Sequence, residues 1–223
     1  MVKKQFIVIG LGRFGFNLTT TLIHNGHEVL AVDKDNELVQ NIAQIATHAV
    51  CADCTDEVVL AELGVSNFTH AVVAIGDDLQ SSIMTTLLLK ELKVPYVIAK
   101  AQDLKHGTVL KKIGADQIIY PERDMAIRLG NQLSSSSLID YIELSDEYNL
   151  VEMYAPKAMY GLSLQKLNIR ARFGCTILAI KSDAGMNISP RAEDAIKEGD
   201  ILLIIGSDAD INQLEMHYDR KVK

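Results

Sequence analysis

The stretch FIVIGLGRFG, beginning at Phe6, constrains this chain more than any other feature. A continuous apolar run reads as a strand buried on both faces. It leads into Gly10-Leu11-Gly12-Arg13-Phe14-Gly15, and a helical pattern follows. Gly10 permits a tight turn, Gly12 lets backbone approach a phosphate, and Gly15 lets the helix pack close to the sheet. The start of such a helix presents free N–H groups and a partial positive charge to a diphosphate. Asp33 ends the next apolar run, about 20 residues on, where a carboxylate accepts from ribose hydroxyls. A 2′-phosphate is repelled there, although Lys34 is adjacent. The bland alternative is a fold that keeps these glycines for packing alone.

Arg13 separates nucleotides from one another. Backbone and helix end already match a diphosphate. A guanidinium at this place reaches an additional phosphate through two parallel hydrogen bonds, which favours ATP or ADP beside NAD. The alternative is a solvated arginine at a helix start.

The rest of the first half repeats the alternation of strand and helix. HEVLAVD, THAVCAD, THAVVAIG, VPYVIAK and QIIY read as strands, each followed by a helical stretch; Pro121 opens the last helix. Six such alternations predict an α/β doubly wound parallel sheet of Rossmann type. Ligands of such sheets bind at the carboxyl ends of the strands. Those ends are Asp33-Lys34-Asp35, Asp53-Cys54, Ile75-Gly76-Asp77 and Lys100-Ala101-Gln102. Asp53 is placed to accept from an adenine amino group, and Lys100 to share phosphate charge with Arg13. His106 begins the helix after the fifth strand and is placed to face a ligand. Asp56, Glu57 and Asp78 stand at helix starts, where stabilising the dipole is their expected job.

The serine run Ser134–Ser137 breaks the rhythm and reads as a hinge or as an ordinary loop. It divides the chain into a nucleotide-binding domain, 1–134, and a smaller α+β domain, 135–223. In the second, LIDYIEL, NLVEMYAP, CTILAIKSD, NISP and DILLIIG read as strands. LSLQKLNIRARFG reads as a short helix with its turn, and ADINQLEMHY as a closing helix.

Composition excludes several classes. A formal charge of −7 argues against nucleic acid as a bulk electrostatic partner. No apolar run approaches the roughly 20 residues that span a bilayer. The start MVKKQFIVIG reads as a first strand rather than a signal peptide. Three cysteines fit a reducing cytoplasm better than a disulfide framework. Cys51-Ala52-Asp53-Cys54 has redox or zinc spacing, but no second pair completes a zinc site; small residues packing at a strand end is the plainer reading. The six histidines show no metal spacing.

VIGLGRFG, HEVLAVD, ATHAV, TTLLLKEL, KIGAD, YPERDM, LSDEY and RFGCTILAIK together carry a nearly end-to-end resemblance. The chain resembles the cytoplasmic gating subunits of bacterial Ktr potassium-uptake systems, in the RCK (KTN) family of regulators of potassium conductance. The resemblance implies an octameric ring, built from dimers. The ring docks on the inner face of the membrane, on a dimeric potassium-channel subunit of KtrB or KtrD type. It implies that the first domain binds ATP or ADP, and also NAD or NADH, and that nucleotide exchange changes ion flux. It gives Arg13 the terminal phosphate of ATP, and Glu122 a divalent Mg2+, or Na+, at that phosphate across a subunit contact. It further implies cyclic di-AMP at the dimer interface of the second domain, near Asn168, Arg170, Cys175, Thr176 and Pro190. The family often has Asp in place of Asn168, and more polar residues near Cys175-Thr176. Arg170 and Arg172 lie together in NIRAR, which otherwise reads as a solvated turn.

Two rival functions share the glycine motif and Asp33. One is a nicotinamide-dependent oxidoreductase, for which the chain after Ser137 is short and offers no acid–base constellation. The other is a soluble redox sensor that binds DNA, which the net charge disfavours.

Overall fold

The computed structural model describes residues 4–134, 138–145 and 147–219. Of the serine run Ser134–Ser137 read as a hinge or loop, Ser134 ends a helix and Ser135, Ser136 and Ser137 lie outside the described residues. Two compact units result, Met1–Glu122 and Arg123–Lys223.

In the first unit the strands are β1 (Gln5–Ile9), β2 (Glu28–Asp33), β3 (His48–Cys51), β4 (His70–Val73), β5 (Tyr96–Lys100) and β6 (Gln117–Ile119). They form one parallel sheet in the order β3-β2-β1-β4-β5-β6. Between them run α1 (Arg13–His24), α2 (Asn36–Ala43), α3 (Glu57–Glu62), α4 (Leu79–Glu91) and α5 (Leu104–Lys112); α6 (Pro121–Ser134) follows β6. Successive strand residues face opposite ways. Ile7, Ile9, Val32, Val73 and Val97 enter one core, while Phe6, Val8, Val29, Ala31 and Val72 enter the other. Both faces are therefore covered, which is why the strands read as unbroken apolar runs.

Helix ends follow their sequence signals. Asp35, Asp56, Asp78 and Asp103 cap α2, α3, α4 and α5, each accepting from a backbone N–H in the first turn. Asn25 and Gly26 (φ +84°) close α1.

The order of strands reverses between β1 and β4, and here the glycines are indispensable. Gly10 has φ +96°, and a Cβ on it would lie 2.9 Å from the backbone of Ala74 and Ile75. A Cβ on Gly15 would lie 1.8 Å from the Gly10 carbonyl oxygen. The β1–α1 turn thus rests backbone to backbone against the strand on one side and its own helix on the other.

The second unit is an antiparallel sheet in the order β10-β9-β11-β8-β7. Its strands are β7 (Leu138–Glu143), β8 (Asn149–Tyr154), β9 (Thr176–Ser182), β10 (Gly185–Asn187) and β11 (Ile201–Gly206). Val151, Met153, Leu202 and Ile204 bury one face against α7 (Leu164–Leu167), α8 (Ile169–Phe173) and α9 (Asp208–Asp219).

Three details depart from expectation. The compact units divide at Glu122 rather than at residue 134, because most of α6 groups with the second sheet. Arg128 on α6 pairs with Asp140 on β7 through two hydrogen bonds. NISP is not a strand of its own: β10 ends at Asn187. The Asn187 side chain accepts from Ser189 N–H and donates to Asp194, turning the chain away. The helix expected over LSLQKLNIRARFG is two short helices, broken where Asn168 adopts a left-handed backbone (φ +45°).

Gly15→Ala is expected to destabilise the first unit by about 1–3 kcal/mol, the usual cost of overpacking. Gly12→Ala, where a Cβ meets nothing within 4 Å, is the matched control and leaves stability near wild type. Chemical denaturation of the two variants checks this.

Candidate functional site

A cavity of about 400 Å³ opens at the carboxyl ends of the strands, at the place where strand order reverses. That volume suits a small-molecule ligand. The β1–α1 turn contributes Gly10, Gly12, Arg13 and Phe14 to its wall, and β2 contributes Asp33 and Lys34. Asp53 and Cys54 follow β3; Ile75, Gly76 and Asp77 follow β4. Lys100 ends β5, and Glu122 stands in the first turn of α6.

Asp33 has work to do before any ligand arrives. One of its oxygens accepts from Leu11 N–H at 2.6 Å and the other from Asp35 N–H at 2.9 Å. It ties the glycine turn to the turn after β2 and so aims both at the cavity. Each oxygen keeps a second lone pair for a ribose hydroxyl.

Two ion pairs line the wall. Lys100 donates to Glu122 at 2.7 Å, and Lys34 approaches Asp78 at 3.4 Å. The Lys100 hydrogen bond holds Glu122 below the usual carboxylate range, and the Arg13 charge adds to the effect. The Thr55 N–H and hydroxyl lower Asp53 in the same way. Asp78 is lowered by the Ser81 hydroxyl and N–H, which it accepts as the cap of α4.

Five of the expected residues are not brought to the cavity wall. Gly15 is buried beneath it as a packing contact. Asp35 is turned to capping α2. Ala101 is buried, and Gln102 donates its N–H to the His106 ring. His106 itself is buried, and burial pushes its pKa down. Its Nδ1 accepts from Gln102, so the imidazole closes the β5–α5 turn instead of facing the cavity.

The sequence reading missed Thr55, Asp78, Ser81, Thr85 and Leu38 as wall residues. Asp78 and Ser81 carried a readable signal, a cap and the residue three places on. Thr85 and Leu38 lie inside helices, where nothing local marks the side that faces a cavity.

Burial pushes the Cys54 thiol up to about 12, while Cys51 is exposed with its Sγ near the Lys34 carbonyl. A buried thiol of this kind is a packing group. Among the described residues, no three of His, Cys, Asp and Glu gather to hold a metal ion. None of the described helices is long and apolar enough to cross a membrane.

In the second unit, Asn168 and Arg170 are exposed, and Thr176 and Pro190 are half-buried. Cys175 is fully buried, its thiol pushed up to about 11 by burial, with Sγ against Gly206. It packs β9 against β11 and presents nothing to solvent.

Comparison with known proteins fits this architecture. The TrkA-N domain family matches residues 6–121, and the TrkA-C domain family matches residues 150–217. Ktr system potassium uptake protein A of Bacillus subtilis (strain 168) is 50% identical over 213 residues, 96% of each chain. Ktr system potassium uptake protein C of the same organism is 49% identical over 214 residues, covering 96% of this chain and 97% of that one. Among solved structures, the GsuK channel bound to NAD has the same fold, with a TM-score of 0.67 at 20% identity. That likeness covers 96% of this chain but only 39% of the channel chain. With both of its domains matched and half of its residues shared across nearly its whole length, the chain belongs to the RCK family of Ktr potassium-uptake proteins.

Proposed function

We propose that this protein is the nucleotide-sensing regulatory subunit of a potassium-uptake channel. It works as a cytoplasmic ring on the inner face of the membrane, bound to a membrane potassium-channel subunit. The observation that carries the reading is the cavity at the reversal point, with a glycine turn, Asp33 and Arg13 on one wall. The GsuK structure with NAD supports an adenine nucleotide in a cavity of this fold.

Backbone N–H groups at the start of α1 receive the diphosphate. Asp33 receives the ribose, and Asp53 the adenine amino group. Arg13 and Lys100 supply positive charge for a further phosphate. A divalent cation suits the Glu122 carboxylate as a hard oxygen donor. One chain offers little more than that carboxylate, so phosphate oxygens and water complete such a site. A bound cation would offset phosphate charge in a wall that holds five carboxylates (Asp33, Asp53, Asp77, Asp78, Glu122) against three cations (Arg13, Lys34, Lys100).

ATP differs from ADP by one phosphate, and only differential contact with that group shifts a conformational equilibrium. Moving a two-state switch from 1:99 to 99:1 takes about 5.5 kcal/mol. Shared over the eight sites of an octamer, each site supplies about 0.7 kcal/mol, within reach of one charge-assisted hydrogen bond. Catalytic turnover is not required. In the second unit we propose cyclic di-AMP as ligand on the family resemblance, with the exposed Arg170 as its anion contact and Cys175 as packing only.

Arg13→Ala is expected to weaken ATP binding at least tenfold more than NAD binding, because only ATP carries the extra phosphate. Calorimetry with both ligands decides it; equal losses would remove Arg13 from phosphate reading. Native mass spectrometry of the purified protein, with and without ATP, is expected to show eight subunits and retained nucleotide. A monomer that keeps no nucleotide would end the proposal. Glu122→Gln is expected to abolish the magnesium dependence of potassium flux in vesicles reconstituted with the channel subunit. Unchanged magnesium activation would take the cation away from Glu122.

A further inference from the structure

Lys100 is the least exposed cation of the two ion pairs in the cavity wall, its side chain 12% accessible against 65% for Lys34. Its ammonium lies low in the cavity: a Cβ on Gly76 would come within 3.4 Å of Nζ. Such a group is strongly placed to bind an anion, because burial weakens solvent screening. Yet an anion is already there. Glu122 reaches in from a side chain 69% exposed and takes a 2.7 Å hydrogen bond from Nζ. The Arg13 charge also favours the ionised form of this carboxylate.

We propose that Glu122 is a resident competitor for nucleotide phosphate, occupying the Lys100 ammonium that a bound phosphate must recruit. This rests on the nucleotide reading of the cavity. A phosphate that enters beside Arg13 meets a fixed negative charge at hydrogen-bonding distance from its second cation. Without a cation to bridge them, phosphate and carboxylate repel one another and compete for the Lys100 charge. When no divalent cation is present the pair opens as phosphate binds, and the Glu122 side chain, 69% exposed in this chain, turns away from Lys100. The carboxylate therefore lowers affinity for free polyphosphate and has no effect on the nucleoside part. The Lys100–Glu122 pair sets a threshold that a ligand crosses only by its phosphates.

The test uses the full-length protein with chelator present and no divalent ion, so that any bridging cation is removed. Binding of ADP, of inorganic pyrophosphate and of adenosine is measured by calorimetry for wild type, Glu122→Gln, Lys100→Met and the double variant. Glu122→Gln is expected to bind ADP and pyrophosphate about tenfold more tightly than wild type, with adenosine unchanged. Lys100→Met is expected to bind both more weakly, and Glu122→Gln added to it restores nothing, because the two residues act through one contact. Both substitutions remove one charge from a partly exposed pair, and thermal unfolding of each variant confirms an intact fold. Unchanged or weaker ADP binding by Glu122→Gln under chelator, with wild type still binding ADP, overturns the competitor alone. Failure of wild type to bind ADP, ATP or NAD under any condition overturns the nucleotide reading, and the competitor with it.

Discussion

The close approach of backbone to backbone at the reversal of the sheet is the contact on which the first unit depends. Ala74 donates its N–H to Ile9 and Gly10 donates to Val32, so the turn after β1 is held by the ladders on both sides. Side chains at Gly10 or Gly15 would push these layers apart. With them absent, the start of α1 lies at the cavity and its unpaired N–H groups point where an anion can reach them. Asp33 then locks the turn from the neighbouring strand by accepting from Leu11 N–H. The features that read as ligand chemistry are thus also the features that build the scaffold, and the two roles have one cause.

That economy explains why part of the site was legible and part was not. Gly10, Gly12, Arg13, Asp33 and Lys100 fall at strand ends or in a turn, and topology alone carries such positions to one edge of a sheet. Runs such as FIVI and HAVV showed burial on both faces, so the parallel sheet was legible too. His106 failed for a physical reason. A histidine three residues past an Asp cap is equally suited to face a ligand or to accept from the turn's own backbone, and only packing chooses. Glu122 was placed in the site by resemblance, but its pairing with Lys100 spans 22 positions, and no local pattern encodes that. The unit boundary slipped because serines weaken a helix locally, whereas the Arg128–Asp140 pair assigns α6 to the second sheet.

The antiparallel unit was harder to read for a related reason. Its strands alternate cleanly in burial at β8 and β11, and the difficulty lies in its connections, where Asn168 breaks one expected helix into two by adopting a backbone shape that asparagine tolerates. Cys175 was expected near a ligand only through the family resemblance. The structure seals its thiol against Gly206, and burial, which pushes it up to about 11, leaves it neutral. A residue can sit at the right place in a motif and serve the core beneath the surface that its neighbours present.

Four titratable groups of the cavity wall are held in fixed charge states by their surroundings. Asp53, Asp78 and Glu122 are each held below the usual carboxylate range by a hydrogen-bonded partner, and Cys54 is pushed up to about 12. None of these four changes charge near neutral pH, where a general acid or base must do so. Groups whose charge is constant are well suited to reporting a ligand's charge. On the reading proposed above, an additional phosphate would change the field at Arg13 and Lys100 by a fixed step, and the Lys100–Glu122 pair would convert that step into a rearranged contact. If nucleotide in this cavity regulates ion flux, as proposed above, the step has to be reversible and small at each site. Lys34–Asp78, with both side chains exposed, is a weak pair, whereas Lys100–Glu122 has one poorly accessible partner and is less screened by solvent.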